Sequence, residues 1–298
     1  MICSPDVPFW YLAGAGNMGT LAACYLRAAG FPVALPRRDG GPPAPLRKTL
    51  TFEDGRAPLA LELPAAPAAP IRHLVVACKT PYSDAALADL PLAPDVTVLR
   101  LQNGLGSLDG RLPEGADLIE VVTTSAVKGR HPSHHLVAEN QTWMGRARGG
   151  PAPAWFQTLA RHWPGLEWAE PIRDRQWRKL VANAVINPLT GLYDVANGRL
   201  LEDPELSARA RRLADEADTL LGALDPAWPG GSWDQVAAVA AATAGNTSSM
   251  RADMQRGAGT EIDAINGWLL REARRLGLEL PAHREVVAAV RGRTLSAP

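Results

Sequence analysis

The feature that most restricts what this chain can fold into is a glycine pattern near its start, Gly14-Ala15-Gly16-Asn17-Met18-Gly19. It follows the apolar run Phe9 to Ala13 and precedes Thr20 to Ala29, a helix-compatible stretch closed by Gly30. Strand, glycine turn and helix in that order open a dinucleotide-binding βαβ unit. There the first glycine permits the tight turn, the second lets backbone approach a pyrophosphate, and the third lets helix pack closely on strand. The helix N-terminus then offers unpaired N–H groups and partial positive charge to phosphate. Gly14, Ala15, Gly16, Asn17, Met18 and Gly19 are accordingly predicted to hold the cofactor.

The rest of the first half fits an α/β domain with a parallel sheet. Apolar runs predict strands at 9–13, 32–35, 73–78, 96–101 and 118–123, and 136–145 adds a late one. The Pro/Gly-rich pieces 39–45 and 63–70 read as loops, and so does the stretch holding His131, His134 and His135. Beyond about residue 170 the texture becomes helical, with helices expected at 173–187, 204–224, 232–254 and 260–276. The predicted fold is an N-terminal Rossmann domain over 1–170 and an all-helical domain over 171–298; a chain of 298 residues exceeds what one core usually serves.

Composition narrows the function. Lys plus Arg and Asp plus Glu number 31 each, so no net field draws the chain to nucleic acid or membrane, and a small-molecule enzyme is expected. Cys3, Cys24 and Cys78 are odd in number and form no C-x-x-C pair, which predicts neither disulfides nor a cysteine zinc site and fits a reducing cytoplasm. No basic leader and no run of membrane-span length is present, so export and insertion are not expected. The histidines lack metal-ligand spacing, and no G-x-S-x-G turn occurs, so neither a metal nor a serine nucleophile is expected.

An NAD site usually places a carboxylate about 20 residues beyond the glycine loop. Here that neighbourhood reads Arg37-Arg38-Asp39. Guanidinium groups grip phosphate through paired donors, so Arg37 and Arg38 predict NADP, with Asp39 keeping NAD as the alternative and solvated surface charge as the plain one. Lys79 and Gln102-Asn103-Gly104 close two predicted strands, where open α/β sheets bind ligands. Lys179, Asn183 and Asn187 recur at i, i+4 and i+8 on one helix face; substrate contacts, interhelical hydrogen bonds or a solvated stripe would each account for them. Asn187 precedes Pro188, where the helix is expected to end or kink. Further on, Thr260 is placed to cap a helix whose first turn holds Glu261 and Asp263.

Together these pieces resemble the ketopantoate reductase (2-dehydropantoate 2-reductase) family, in the 6-phosphogluconate dehydrogenase-like group of Rossmann enzymes. The resemblance is carried by GAGNMG at 14–19, Arg38, ACKT at 77–80, QNGLG at 102–106, WRKLVANAVINPLTGLYDVANG at 177–198, NTSSM at 246–250 and TEIDAINGWLL at 260–270. It implies NADPH-dependent reduction of ketopantoate to pantoate, with Lys179 as general acid and Glu261 as the active-site glutamate. It further implies substrate contacts from Asn103, Asn183, Asn187, Asn197 and Ser249, and cofactor contacts from Arg38, Lys79 and Asn103. A different 2-oxo acid or ketone substrate, or a non-catalytic NADP-binding sensor, are the alternatives. A homodimer through the helical domain is implied by family analogy. Segments 39–70 and 129–170 carry no family motif.

Overall fold

The protein is described by a computed structural model over residues 7–37, 44–66 and 70–295. It divides into two compact units: Met1–Gln102 with Leu108–Arg173, and Asn103–Ser107 with Asp174–Pro298.

The strands of the first unit are β1 (Trp10–Ala13), β2 (Val33–Pro36), β3 (Leu46–Phe52), β4 (Leu59–Leu63), β5 (Ala65–Ala66) and β6 (Ile71–Val76), then β7 (Leu92–Arg100), β8 (Asp117–Thr123), β9 (Ala126–Arg130), β10 (Ser133–Ala138), β11 (Thr142–Arg146) and β12 (Leu166–Trp168). Eight form one sheet in the order β12-β11-β8-β7-β6-β1-β2-β5. Its centre is parallel, β1 pairing with β2 and β6, β6 with β7 and β7 with β8, while β11 runs antiparallel to β8. Period-two alternation sends Trp10 and Leu12 into one buried cluster and Tyr11 and Ala13 into another, so β1 is covered on both faces. Helix α1 (Asn17–Ala28) covers one face with Leu21, Ala22, Tyr25 and Leu26. The short helices α2 (Ser83–Leu87) and α3 (Phe156–Ala160) complete the unit.

The loop readings of 63–66 and of the histidine stretch are corrected. A second sheet, ordered β4-β3-β10-β9, joins the α1 cluster through Leu50, Phe52, Leu61, Leu63 and Leu136. His134 and His135 lie on β10, and Leu63 to Ala66 is strand apart from Pro64, with Ala65 paired to Leu35. The alternation of β3 was hidden because an inward position holds Lys48 where a core strand would carry an apolar residue. Residues 39–43 and 67–69 lie outside the described residues.

Among the described residues, no strand follows Trp168. The second unit contains α4 (Arg173–Tyr193), α5 (Arg199–Glu202), α6 (Pro204–Leu224), α7 (Ser232–Ala242), α8 (Ser249–Gln255), α9 (Asn266–Leu276) and α10 (Pro281–Leu295). Its core gathers Leu180, Val181, Ala184 and Val185 of α4 with Leu213 and Leu220 of α6, Leu269 of α9 and Val290 of α10. No helix is long and apolar enough to cross a membrane among the described residues. The expected helix 232–254 is two helices, because Ser248 starts α8 afresh with its hydroxyl accepting from Arg251 N at 3.1 Å.

Helix α4 neither ends nor breaks at Pro188; it continues for another turn to Tyr193. Proline has no N–H, so the carbonyl of Ala184, four residues back, loses its helical donor. Asn266 replaces it, its Nδ2 donating to Ala184 O at 2.8 Å. The same Nδ2 lies 3.0 Å from His283 Nδ1, and His283 Nε2 lies 3.0 Å from the carbonyl of Leu213. A carbonyl only accepts, so the histidine proton is on Nε2 and Nδ1 accepts from the amide. One side chain thereby joins α4, α9 and α10, and the imidazole extends the link to α6.

Burial pushes the His283 imidazole down to about 4 from 6.5. Between those values the unfolded chain takes up a proton that the fold refuses, so unfolding is favoured as pH falls through the window. The contribution of His283 is complete above pH 6.5 and lost on descending toward about 4. Urea unfolding followed across that range should show stability falling with acid, and falling less steeply in His283→Gln; an unchanged slope would exclude this link. At neutral pH, Asn266→Ala should cost about 1 to 3 kcal/mol by leaving the Ala184 carbonyl unsatisfied.

Candidate active site

Three glycines of the 14–19 loop are constrained in three different ways. Gly14 has φ +103° and a Cβ there would lie 2.2 Å from the backbone N of Cys78, so both torsion and space demand glycine. A Cβ on Gly19 would meet the carbonyl oxygen of Gly14 at 1.9 Å, whereas one on Gly16 would find nothing within 4 Å. The loop is thus packed tightly against the end of β6 and open above Gly16. Cys78 N and Ala77 N both donate to Ala13 O, at 3.1 and 2.8 Å, which locks the β6 end to the loop. Helix α1 starts at Asn17 with no side-chain cap and no acid in its first turn, so the first turn itself sets no anion against its N–H groups and dipole. These features fit a dinucleotide pyrophosphate: backbone donors, an open approach over Gly16 and no carboxylate in the first turn of the helix.

Lys79 follows β6, half-buried, as the residue before a 3₁₀ turn at Thr80–Tyr82. Gln102 ties the neighbouring strand ends together: its Nε2 donates to Cys78 O at 2.9 Å and Ser83 Oγ at 2.8 Å. Arg37 is exposed after β2, its N–H donating to Ala66 O at 2.9 Å. Arg38, the residue assigned to the 2′-phosphate, lies outside the described residues, as does Asp39. Among the described residues, no group of three His, Cys, Asp or Glu side chains is placed to hold a metal.

In the second unit, Lys179 and Asn183 are half-buried on α4 and Asn187, on the same face, is buried. Residues 158 positions apart are brought together where Asn103 Nδ2 donates to Glu261 Oε2 at 2.9 Å. The backbone follows suit, Leu105 N donating to Ala264 O at 2.8 Å. Gly104 (φ +73°) passes so close that a Cβ would lie 2.2 Å from that same oxygen. This clasp explains a correction to the sequence reading. Residues 261–265 form turns, α9 begins only at Asn266, and Thr260 caps nothing there. Glu261 is therefore held by Asn103 in a buried turn and is not a helix-start acid.

Asn197 is buried and turned to Thr243, its Nδ2 donating to Oγ1 at 2.9 Å while its Oδ1 finds no partner among the described residues. Backbone bonds from Asn197 N to Asn246 O (3.2 Å) and from Gly198 N to Ala244 O (3.0 Å) knit that stretch to the turn before α8. Thr190 Oγ1, also buried, donates to Ile186 O at 2.7 Å and is hydrogen-bonded to the Ser248 hydroxyl at 2.7 Å. Ser249 stands exposed as the first residue of α8, next to this anchored cap. Sequence reasoning missed Thr190 and Asn266 as supports, and Lys48 and His134, which reach Asn17 from the second sheet, while Gln102, read as a ligand-side strand end, ties strand ends together. The available signal was polarity at core-facing strand and helix positions.

Comparison with known proteins covers both units. A family profile described as "Ketopantoate reductase PanE/ApbA" matches residues 10–149, and one described as "Ketopantoate reductase PanE/ApbA C terminal" matches 171–294. The chain is 30% identical over 287 residues to a 2-dehydropantoate 2-reductase of Archaeoglobus fulgidus, spanning 94% of this chain and 96% of the relative. A PanE/ApbA family ketopantoate reductase from Ralstonia eutropha shares the fold at TM-score 0.80 and 21% identity, over 96% of this chain and 98% of the other. The ketopantoate reductase of Staphylococcus aureus, described as dimeric, does so at TM-score 0.80 and 17% identity, with the same coverage.

The clasp yields a test. In Asn103→Asp a carboxylate replaces the amide donor facing Glu261, and two adjacent carboxyls cannot both ionise without cost. One of them then titrates above its unfolded value, so stability is lost as pH rises through that point and regained below it. Thermal unfolding of this variant should show a lowered midpoint at neutral pH that recovers toward wild type on mild acidification. A midpoint equal to wild type at neutral pH would contradict the contact.

Proposed function

The chain belongs to the ketopantoate reductase family, and on that premise we propose that it reduces the 2-oxo group of 2-dehydropantoate to the hydroxyl of pantoate with NADPH. The observation that carries this reading is the match to a 2-dehydropantoate 2-reductase over 94% of the chain, which includes both units.

The glycine loop and α1 hold the pyrophosphate, with Lys79 one residue beyond Cys78, whose backbone abuts Gly14, and Arg38 as the grip on the 2′-phosphate. The absence of an acid from the first turn of α1 supports the loop assignment. When bound, the dinucleotide supplies a hydride to the carbonyl carbon. The remaining work falls to side chains of the second unit. As the carbon accepts hydride, negative charge collects on the carbonyl oxygen, and Lys179 both stabilises it and delivers the proton that completes the hydroxyl. Asn183 and Asn187, on the face of α4 that carries Lys179, and the exposed hydroxyl of Ser249 orient the polar groups of the substrate without adding charge. Glu261, steadied by Asn103, accepts hydrogen bonds from substrate or ribose hydroxyls. Asn197 supports the substrate side by fixing the turn that precedes Ser249.

A homodimer through the helical unit is part of the proposal, supported by the dimeric Staphylococcus aureus neighbour. A reducing cytoplasm is the proposed compartment. Cys24 and Cys78 are free thiols, and burial pushes that of Cys24 up to about 12. Cys3 lies outside the described residues.

Lys179→Ala tests the assignment of the acid. NADPH affinity, read from nicotinamide fluorescence, should be retained, while single-turnover reduction slows by roughly 10²- to 10⁴-fold. Lys179→Arg should restore little, since guanidinium keeps its proton at accessible pH. A variant with wild-type kcat and only a raised KM would make Lys179 a binding residue instead.

A further inference from the structure

The strands over α1 carry a cation where a core side chain belongs. The inward positions of β3 are Lys48, Leu50 and Phe52, and those of β10 are His134 and Leu136, all buried. Leu50, Phe52 and Leu136 pack in one cluster with Leu21 and Tyr25 of α1. Lys48 is 4% exposed and His134 2%. Among the described residues, Lys48 pairs with no carboxylate; its Nζ lies 2.9 Å from His134 Nε2. The other ring nitrogen, Nδ1, lies 2.7 Å from Oδ1 of Asn17, the first residue of α1.

The chemistry of these groups gives the chain a direction. An ammonium only donates, so His134 Nε2 accepts and the single proton of the neutral ring sits on Nδ1. Burial pushes the His134 imidazole down to about 4, and the Lys48 charge acts the same way, so the ring is neutral at physiological pH. Nδ1–H can then meet only the oxygen of the Asn17 amide. The two amide N–H groups are left over, with no partner among the described residues. Stability does not explain the arrangement, because a buried ammonium without a counter-charge is costlier than an apolar side chain of the same size. A polyanion bound over the glycine loop would explain it.

We propose that Lys48 and His134 are positioning residues for the dinucleotide: through this one-way hydrogen-bond chain they hold Asn17 so that its amide N–H groups, and not its oxygen, meet the pyrophosphate. The proposal deepens the reading of residues 14–19 as a dinucleotide site and rests on it. An unconstrained Asn17 amide could turn its oxygen toward the phosphates and repel them. With Lys48 in place that rotamer breaks the bond from His134.

The experiment compares NADPH affinity of wild type, Asn17→Ala, Lys48→Met and the double variant, with adenosine 2′-phosphate, which lacks the pyrophosphate bridge, as control ligand. Each single substitution should weaken NADPH by about tenfold, the order expected for one lost hydrogen bond to a charged group. The double variant should be no weaker than the worse single one, and adenosine 2′-phosphate should bind all four alike. Wild type that fails to bind NADPH would overturn the nucleotide reading and the relay with it. Wild type that binds NADPH while Lys48→Met binds equally well, or losses that multiply in the double variant, would overturn the relay alone. A measurement independent of any Lys48 variant is the imidazole ¹⁵N spectrum of wild type, assigned with His134→Gln. It should show His134 protonated on Nδ1 and bare on Nε2, and the opposite tautomer or a doubly protonated ring near pH 7 would overturn the chain.

Discussion

Pro188 has no N–H to give, and the buried carbonyl of Ala184 must find its donor outside its own helix. The amide of Asn266 supplies it, and much of the second unit is organised by that substitution. Because the carbonyl is satisfied, α4 runs unbroken for 21 residues and keeps Lys179, Asn183 and Asn187 on one face. Because the same amide also serves His283, whose other nitrogen reaches Leu213, α6, α9 and α10 are registered against α4 by polar contacts as well as by packing. A polar link of this kind is costly when half-made, and one atom of it, Asn266 Oδ1, has no partner among the described residues. The remaining contacts outweigh that deficit, at the expense of acid sensitivity through a histidine that must stay neutral.

The two candidate binding regions use backbone in similar ways. At the glycine loop, Gly14 and Gly19 are fixed by close approach and Gly16 is left open. At the Asn103 clasp, Gly104 lets one backbone pass against another so that an amide reaches Glu261. In both places the glycine does not act chemically; it lets a neighbouring donor stand where a side chain would have blocked it. Polar groups one layer further out, among them Gln102, Thr190 and Ser248, hold the strand ends and helix starts that carry the candidate residues.

Much of this was legible in the sequence because it depends on local chemistry. The glycine loop between an apolar run and a helix, the i, i+4, i+8 ladder on α4, and the change from strand to helix texture near residue 170 each declare themselves within a short window. What escaped depends on partners far away in the chain. Lys48 masked a core-facing strand because a charged residue at an inward position reads as surface until His134 and Asn17 are seen beside it. The start of α9 was misplaced because Thr260-Glu261 has the chemistry of a helix cap. The turn is instead held by Asn103, 158 residues earlier. Pro188 looked like a terminus because its substitute donor lies on another helix.

Hydride transfer from NADPH to the 2-oxo carbon of 2-dehydropantoate is the reaction proposed for this chain. The most direct measurement supplies NADPH deuterated at the transferable C4 position, with 2-dehydropantoate in competition with other small 2-oxo acids. Each product is then analysed for deuterium at the former carbonyl carbon. Pantoate should be labelled at C2, formed in step with NADPH consumption and with a higher kcat/KM than for any competitor. Bound NADPH that is never consumed, or preferential labelling of a different 2-hydroxy acid, would contradict this reaction.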